Sequence, residues 1–142
     1  TRIRRAVEHG DLAEAAEMLG RPFAVEGRVE EGRRVGRALG FPTANIRPEN
    51  ELMPPAGIYA ARLRLADGRI LPAAAYRGRR PTFGPGGAPV LEVHALDTVL
   101  DLYGQRVEAE FVRRIRDDRR FDDPAALRAQ IAEDLRAIRA AL

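Results

Sequence analysis

Between Phe23 and Ile115, apolar residues return at alternate positions in short runs broken by turn signals. Phe23, Val25, Gly27 and Val29 open the pattern, and Ile58 to Leu65, Ile70 to Tyr76, Val90 to Leu96 and Val107 to Ile115 repeat it. Asp67-Gly68, the Gly84-Pro85-Gly86-Gly87 cluster and Tyr103-Gly104 separate the later runs. A period of two is that of a strand whose side chains point to opposite faces in turn. Strands joined this way, without helices between them, build an antiparallel barrel or sandwich and not a parallel α/β sheet. The ends differ. Thr1 to Gly20 has helical spacing, with Leu12, Ala15, Ala16 and Leu19 on one face, Asp11 and Glu14 as a capping box, and Gly20 followed by Arg21-Pro22 as the stop. At the other end Asp123-Pro124 opens a helix whose stripe is Leu127, Ile131, Leu135, Ile138 and Leu142. The expected map is a helical lead-in over residues 1–20, then a strand-rich body and a closing helix over residues 21–142.

Composition removes whole classes of chemistry. All 24 basic residues are arginine, and cysteine, serine, lysine and tryptophan are absent. Disulfides, thiolate nucleophiles, cysteine zinc sites, Schiff bases, lysine P-loops and serine triads are therefore excluded. His9 and His94 stand far apart, which argues against a histidine metal centre. What remains is carboxylate, arginine, threonine, asparagine and backbone amides. The net charge of +3, with 21 acidic residues interleaved among the arginines, reads as a solvated surface and not as a nucleic-acid footprint. No apolar run approaches the roughly 18 residues of a membrane span, and a cytoplasmic location without membrane or nucleic-acid partners is expected. A chain that starts at Thr1 without methionine is expected to be a fragment of something longer.

Three windows carry candidate chemistry. In Gly32 to Ile46, Phe41-Pro42 imposes extended backbone, so Thr43 and Asn45 fall on one side of a strand-like segment. A hydroxyl and an amide oxygen so placed can hold magnesium when a nucleotide supplies the charge. Upstream, Gly36 and Gly40 permit close backbone approach, and Arg33, Arg34 and Arg37 offer planar donors to phosphate. An ordinary glycine-rich loop accounts for the same spacing. In Val90 to Leu96, alternation puts Glu92 and His94 opposite Leu91, Val93 and Ala95; a carboxylate in an apolar strand suits a general base, unless that face is simply exposed. In Arg113 to Phe121, Arg116 and Phe121 suit a clamp and stack on a planar ligand, or a solvated loop.

The segments GRALGFPTANI, PPAGIYA, GRRPTF, LEVHALD and DLYG, with a late RF and AQIAEDL, occur in the order and spacing of one family. From about Leu19 to Leu142 the chain resembles the riboflavin kinase family, as found in the C-terminal kinase module of bacterial riboflavin kinase/FAD synthetases. The resemblance implies a six-stranded antiparallel Greek-key β-barrel with a C-terminal helix. It implies transfer of the ATP γ-phosphate to the 5'-hydroxyl of riboflavin, giving FMN and ADP. It further implies Glu92 as general base, with Thr43 and Asn45 on Mg²⁺ and nucleotide phosphate. Gly36, Arg37 and Gly40 would belong to a flap over the phosphates, Tyr103 would border the nucleotide, and Arg116 and Phe121 would adjoin the flavin. Residues 1–20 would be the helical remnant of a preceding adenylyltransferase module, and FAD synthesis would be absent from this fragment. Tyr76-Arg77 ahead of Gly78 departs from the small polar residue of many relatives. A non-catalytic flavin- or nucleotide-binding barrel is the alternative, from which a buried base at Glu92 would distinguish an enzyme.

Overall fold

The computed structural model describes residues 1–30, 35–36, 41–79, 89–98 and 101–142. Its elements are α1 (Arg2–Glu8), α2 (Leu12–Leu19), β1 (Phe23–Glu30), β2 (Val35–Gly36), β3 (Phe41–Pro42), β4 (Ala44–Pro48), β5 (Gly57–Arg64), β6 (Ile70–Arg79), β7 (Pro89–Ala95), β8 (Arg106–Asp117) and α3 (Pro124–Ala141). Six strands close a barrel in the order β1-β4-β7-β6-β5-β8, all neighbours antiparallel, and β2 pairs with β3 in a separate short ladder. The hairpins β5-β6-β7 are flanked by β4 on one side and β8 on the other, which makes two overlapping Greek keys.

Alternation sorts each barrel strand into two faces. Small side chains at Ala61, Ala73, Ala75 and Ala109 leave room inside for Tyr59 and Phe111, which meet edge to face with centroids 5.1 Å apart. The buried Tyr59 hydroxyl donates to the Pro55 carbonyl at 2.6 Å. Burial pushes its pKa up to about 12, against weaker lowering by the charges of Arg114 and Arg77.

The lead-in is two helices, where the sequence suggested one. Gly10 takes a φ of 78°, and its N–H donates to the Val7 carbonyl at 3.0 Å, ending the first helix. Asp11 then caps α2, its Oδ1 accepting from the Glu14 N–H at 3.0 Å. Val7, Leu12 and Ala15 are packed into the same core as the barrel interior. The closing helix forms as its pattern requires, with Asp123 accepting from the Ala125 N–H at 2.9 Å. Ile138 packs on Ile58, Ala60, Ala74 and Leu96, so α3 covers part of the barrel's outer face.

Candidate active site on the outer barrel face

Register brings the candidate residues into one row. Asn45 of β4 is the Cα partner of Glu30 on β1 and of Glu92 on β7; Glu92 is in turn the partner of Tyr76 on β6. Tyr76 pairs with Ile58 on β5, and Ile58 with Arg116 on β8. Leu91 and Val93 belong to the interior core, so Glu92 between them faces outward. It is nonetheless only 5% exposed. The sequence weighed a base set among apolar neighbours against a simply exposed face. The strand does neither in simple form: it points Glu92 away from the barrel axis yet keeps it from water.

Asn45 is buried at 6% exposure on the same row, and its Oδ1 has no hydrogen-bond partner among the described residues. Thr43 precedes β4 in irregular backbone, and its Oγ1 is likewise buried and without a partner. Two orphaned neutral oxygens two residues apart are costly, about 1–3 kcal/mol each, unless a ligand takes them. As hard donors they fit Mg²⁺ sharing its coordination with a substrate's phosphates. No group of three or more His, Asp or Glu side chains among the described residues has the arrangement of a metal site.

Gly36 lies in β2 opposite Phe41 of β3. Arg37 and Gly40 lie outside the described residues, as do Arg33, Arg34 and the Gly84-Pro85-Gly86-Gly87 cluster. Tyr103 is 63% exposed. The next residue, Gly104, donates to the Val29 carbonyl at 2.9 Å, which sets Tyr103 at the end of β1 that carries Glu30, the partner of Asn45.

Arg116 stands at the far end of the row, and its polar edge is committed. Its Nε donates to both carboxylate oxygens of Asp134, at 2.9 and 3.0 Å, and its Nη1 donates to the Asp117 carbonyl at 3.0 Å. Its guanidinium carbon also lies 5.6 Å from the Phe121 ring centre, and that of Arg119 lies 4.8 Å from it. Arg116 therefore supports Phe121 and anchors α3. A register shift between Ile58 and Tyr59 lets Ile115 and Arg116 both face α3.

Sequence reasoning missed Asp134, Gln130, Tyr76 and Asp118. Asp134 is 3% exposed, and Gln130 Nε2 donates to its Oδ1 at 2.9 Å. The signal was present, because Asp134 falls within the apolar stripe between Leu127 and Ile138, where an unpaired carboxylate is not tolerated. The Tyr76 hydroxyl donates to Asp118 Oδ2 at 2.9 Å. Burial first, then that bond and the nearby charges of Asp118 and Glu92, raise the Tyr76 pKa well above its ordinary value.

A family model described as Flavokinase, riboflavin kinase, matches residues 19–142. The bifunctional riboflavin kinase/FMN adenylyltransferase of Haemophilus influenzae is 41% identical over 140 residues, covering 99% of this chain and 45% of that protein. Among solved structures, a Streptococcus pneumoniae protein described as a macrolide-efflux protein superposes with a TM-score of 0.86 at 34% identity, over 97% of this chain and 45% of that one. The riboflavin kinase of Trypanosoma brucei superposes with a TM-score of 0.60 at 25% identity, over 84% of this chain and 76% of that one. The chain thus spans less than half the length of the bacterial relatives it matches. No helix among the described residues is long and apolar enough to cross a membrane.

Proposed function

The chain belongs to the riboflavin kinase family, and on that premise we propose that it transfers the γ-phosphoryl group of ATP to the 5'-hydroxyl of riboflavin. The observation that carries this is the row itself. On β4, Asn45, two residues from Thr43 with its own orphaned oxygen, neighbours Glu92, and Arg116, which supports Phe121, stands three strands from Glu92 through Tyr76 and Ile58, roughly 14 Å measured along the curved barrel wall. A phosphate donor held at the first end and a flat ring held at the second would bring the alcohol at the end of the ring's side chain to Glu92.

Thr43 Oγ1 and Asn45 Oδ1 would hold Mg²⁺ together with the triphosphate, where the ion supplies neutralisation of phosphate charge. Gly36, Arg37 and Gly40 would close over the phosphates, with Tyr103 beside the nucleotide. Glu92 accepts the proton of the 5'-hydroxyl as its oxygen bonds to the γ-phosphorus and the bond to the ADP oxygen breaks. Phosphoryl transfer asks mainly for placement and charge compensation, which suits a site that joins the Glu92 carboxylate to neutral oxygens. The burial of Glu92 and Asn45 would keep out the water that otherwise competes for the phosphoryl group.

We further infer that residues 1–20 join this unit to a preceding adenylyltransferase segment in the whole protein. The 142-residue chain alone would make FMN but not FAD. ATP as donor and a fold built without cysteine suit a cytoplasmic setting. Incubating the purified chain with riboflavin and ATP, with and without Mg²⁺, and separating the flavins by chromatography tests the proposal. FMN and ADP in equal amounts, formed only with the metal, are expected. Riboflavin bound but unconverted would leave a binding barrel, and FAD in the products would overturn the division of labour.

A further inference from the structure

Tyr76 stands between the two ends of the row, a position the proposed mechanism leaves without a task. Its register partners are Glu92 on one side and Ile58, the partner of Arg116, on the other. The ring lies back over Gly78: a Cβ on that residue would collide with the phenol oxygen and ring carbons of Tyr76. The glycine thus leaves the space that the ring fills. The hydroxyl proton goes to Asp118, at 2.9 Å, in the segment that leads from β8 to Phe121. With its proton committed to a carboxylate, the phenol oxygen has only lone pairs to offer a ligand. Donation to an anionic acceptor makes that oxygen a stronger acceptor itself. The tyrosine also remains neutral far above physiological pH, because burial and Asp118 both disfavour its ionisation.

We propose that Tyr76, oriented by Asp118, is a specificity-determining residue that accepts a hydrogen bond from a secondary hydroxyl of the substrate's polyol chain. The inference rests on the kinase reading, since that reading runs the chain from Phe121 to Glu92 and therefore past Tyr76. A flavin side chain without hydroxyls short of its terminus gives this oxygen nothing to accept. The site would then discriminate by chain chemistry as well as by ring shape.

The test compares riboflavin with a flavin bearing a 5-hydroxypentyl chain at N10, which keeps the terminal alcohol and lacks the secondary ones. For the wild-type chain, Tyr76→Phe and Asp118→Ala, kcat/KM is measured with MgATP, and Kd by quenching of flavin fluorescence. The wild type is expected to prefer riboflavin. Tyr76→Phe should shrink that preference by roughly three- to tenfold, the worth of one partly exposed hydrogen bond, with the loss falling on riboflavin and not on the analogue. Asp118→Ala should shrink it in the same direction. An unchanged preference, or equal loss on both flavins, overturns the proposal and leaves the pair a packing contact. Should neither flavin be phosphorylated by the wild type, the kinase reading fails, while the ratio of the two Kd values still decides the role of Tyr76.

Discussion

On β7, Leu91 and Val93 meet the apolar core cluster of the interior, whereas Glu92 between them is buried on the outer face beside Asn45 and Tyr76. Both faces exclude water, but to opposite ends. The interior gains about 1.5–3 kcal/mol for each large side chain it removes from water, its Tyr59 and Phe111 rings meet edge to face, and the Tyr59 hydroxyl is satisfied. Arg77, two residues beyond Ala75, and Arg114, the register partner of Tyr59, bring charge to one end of that interior. The outer face holds oxygens with no partner among the described residues, and a partly buried Arg116–Asp134 pair whose desolvation offsets much of its attraction. The closed interior supplies stability that can offset the cost of such buried polar groups on the outer face. Residues of the two faces should therefore separate cleanly when changed.

The largest effect is expected at Glu92. Glu92→Gln keeps the shape and removes the base, so turnover should fall by about two to four orders of magnitude with the melting temperature little changed. An unaltered turnover number would take Glu92 out of the mechanism. On the inner face the reverse should hold. Phe111→Ala opens a cavity against Tyr59 and Phe23 and should cost about 3–5 kcal/mol in urea unfolding. A milder loss would mean that the alanine-lined interior collapses around the gap.

Asn45→Ala sharpens the contrast further, because it removes a buried oxygen that has no partner among the described residues. Stability should hold or rise, while MgATP affinity falls about tenfold and riboflavin affinity stays close to wild type. Calorimetry showing intact MgATP binding would free Asn45 from the metal role. A further prediction concerns pH. The unfolded Tyr59 ionises near 10 while the folded one holds its proton to about 12, so its contribution is intact below pH 10 and drains away as pH rises to 12. Urea melts across that window should show a shallower decline for Tyr59→Phe than for wild type, and identical slopes would contradict the burial of this phenol.

The sequence by itself determined the local pieces. Alternation from Phe23 to Ile115 marked the long strands, Asp11 and Asp123 announced the two caps, and the stripe from Leu127 to Leu142 placed α3. These signals are legible because periodicity and capping act over a few residues. The same reading singled out Thr43, Asn45 and Glu92 as chemistry-bearing, but left an exposed strand face and a plain loop as open alternatives. The tertiary structure shows that the Glu92 face is covered and not exposed, while most of the glycine-rich loop lies outside the described residues. Asn45 and Glu92 are 47 positions apart in the chain, and their adjacency follows from the barrel order β1-β4-β7-β6-β5-β8. Alternation says that Glu92 and Val93 face opposite ways, not which way is inward, and not that the outward side is also covered. That choice is made by long-range packing, as are the commitment of Arg116 to Asp134 and of Tyr76 to Asp118, partners 18 and 42 residues away.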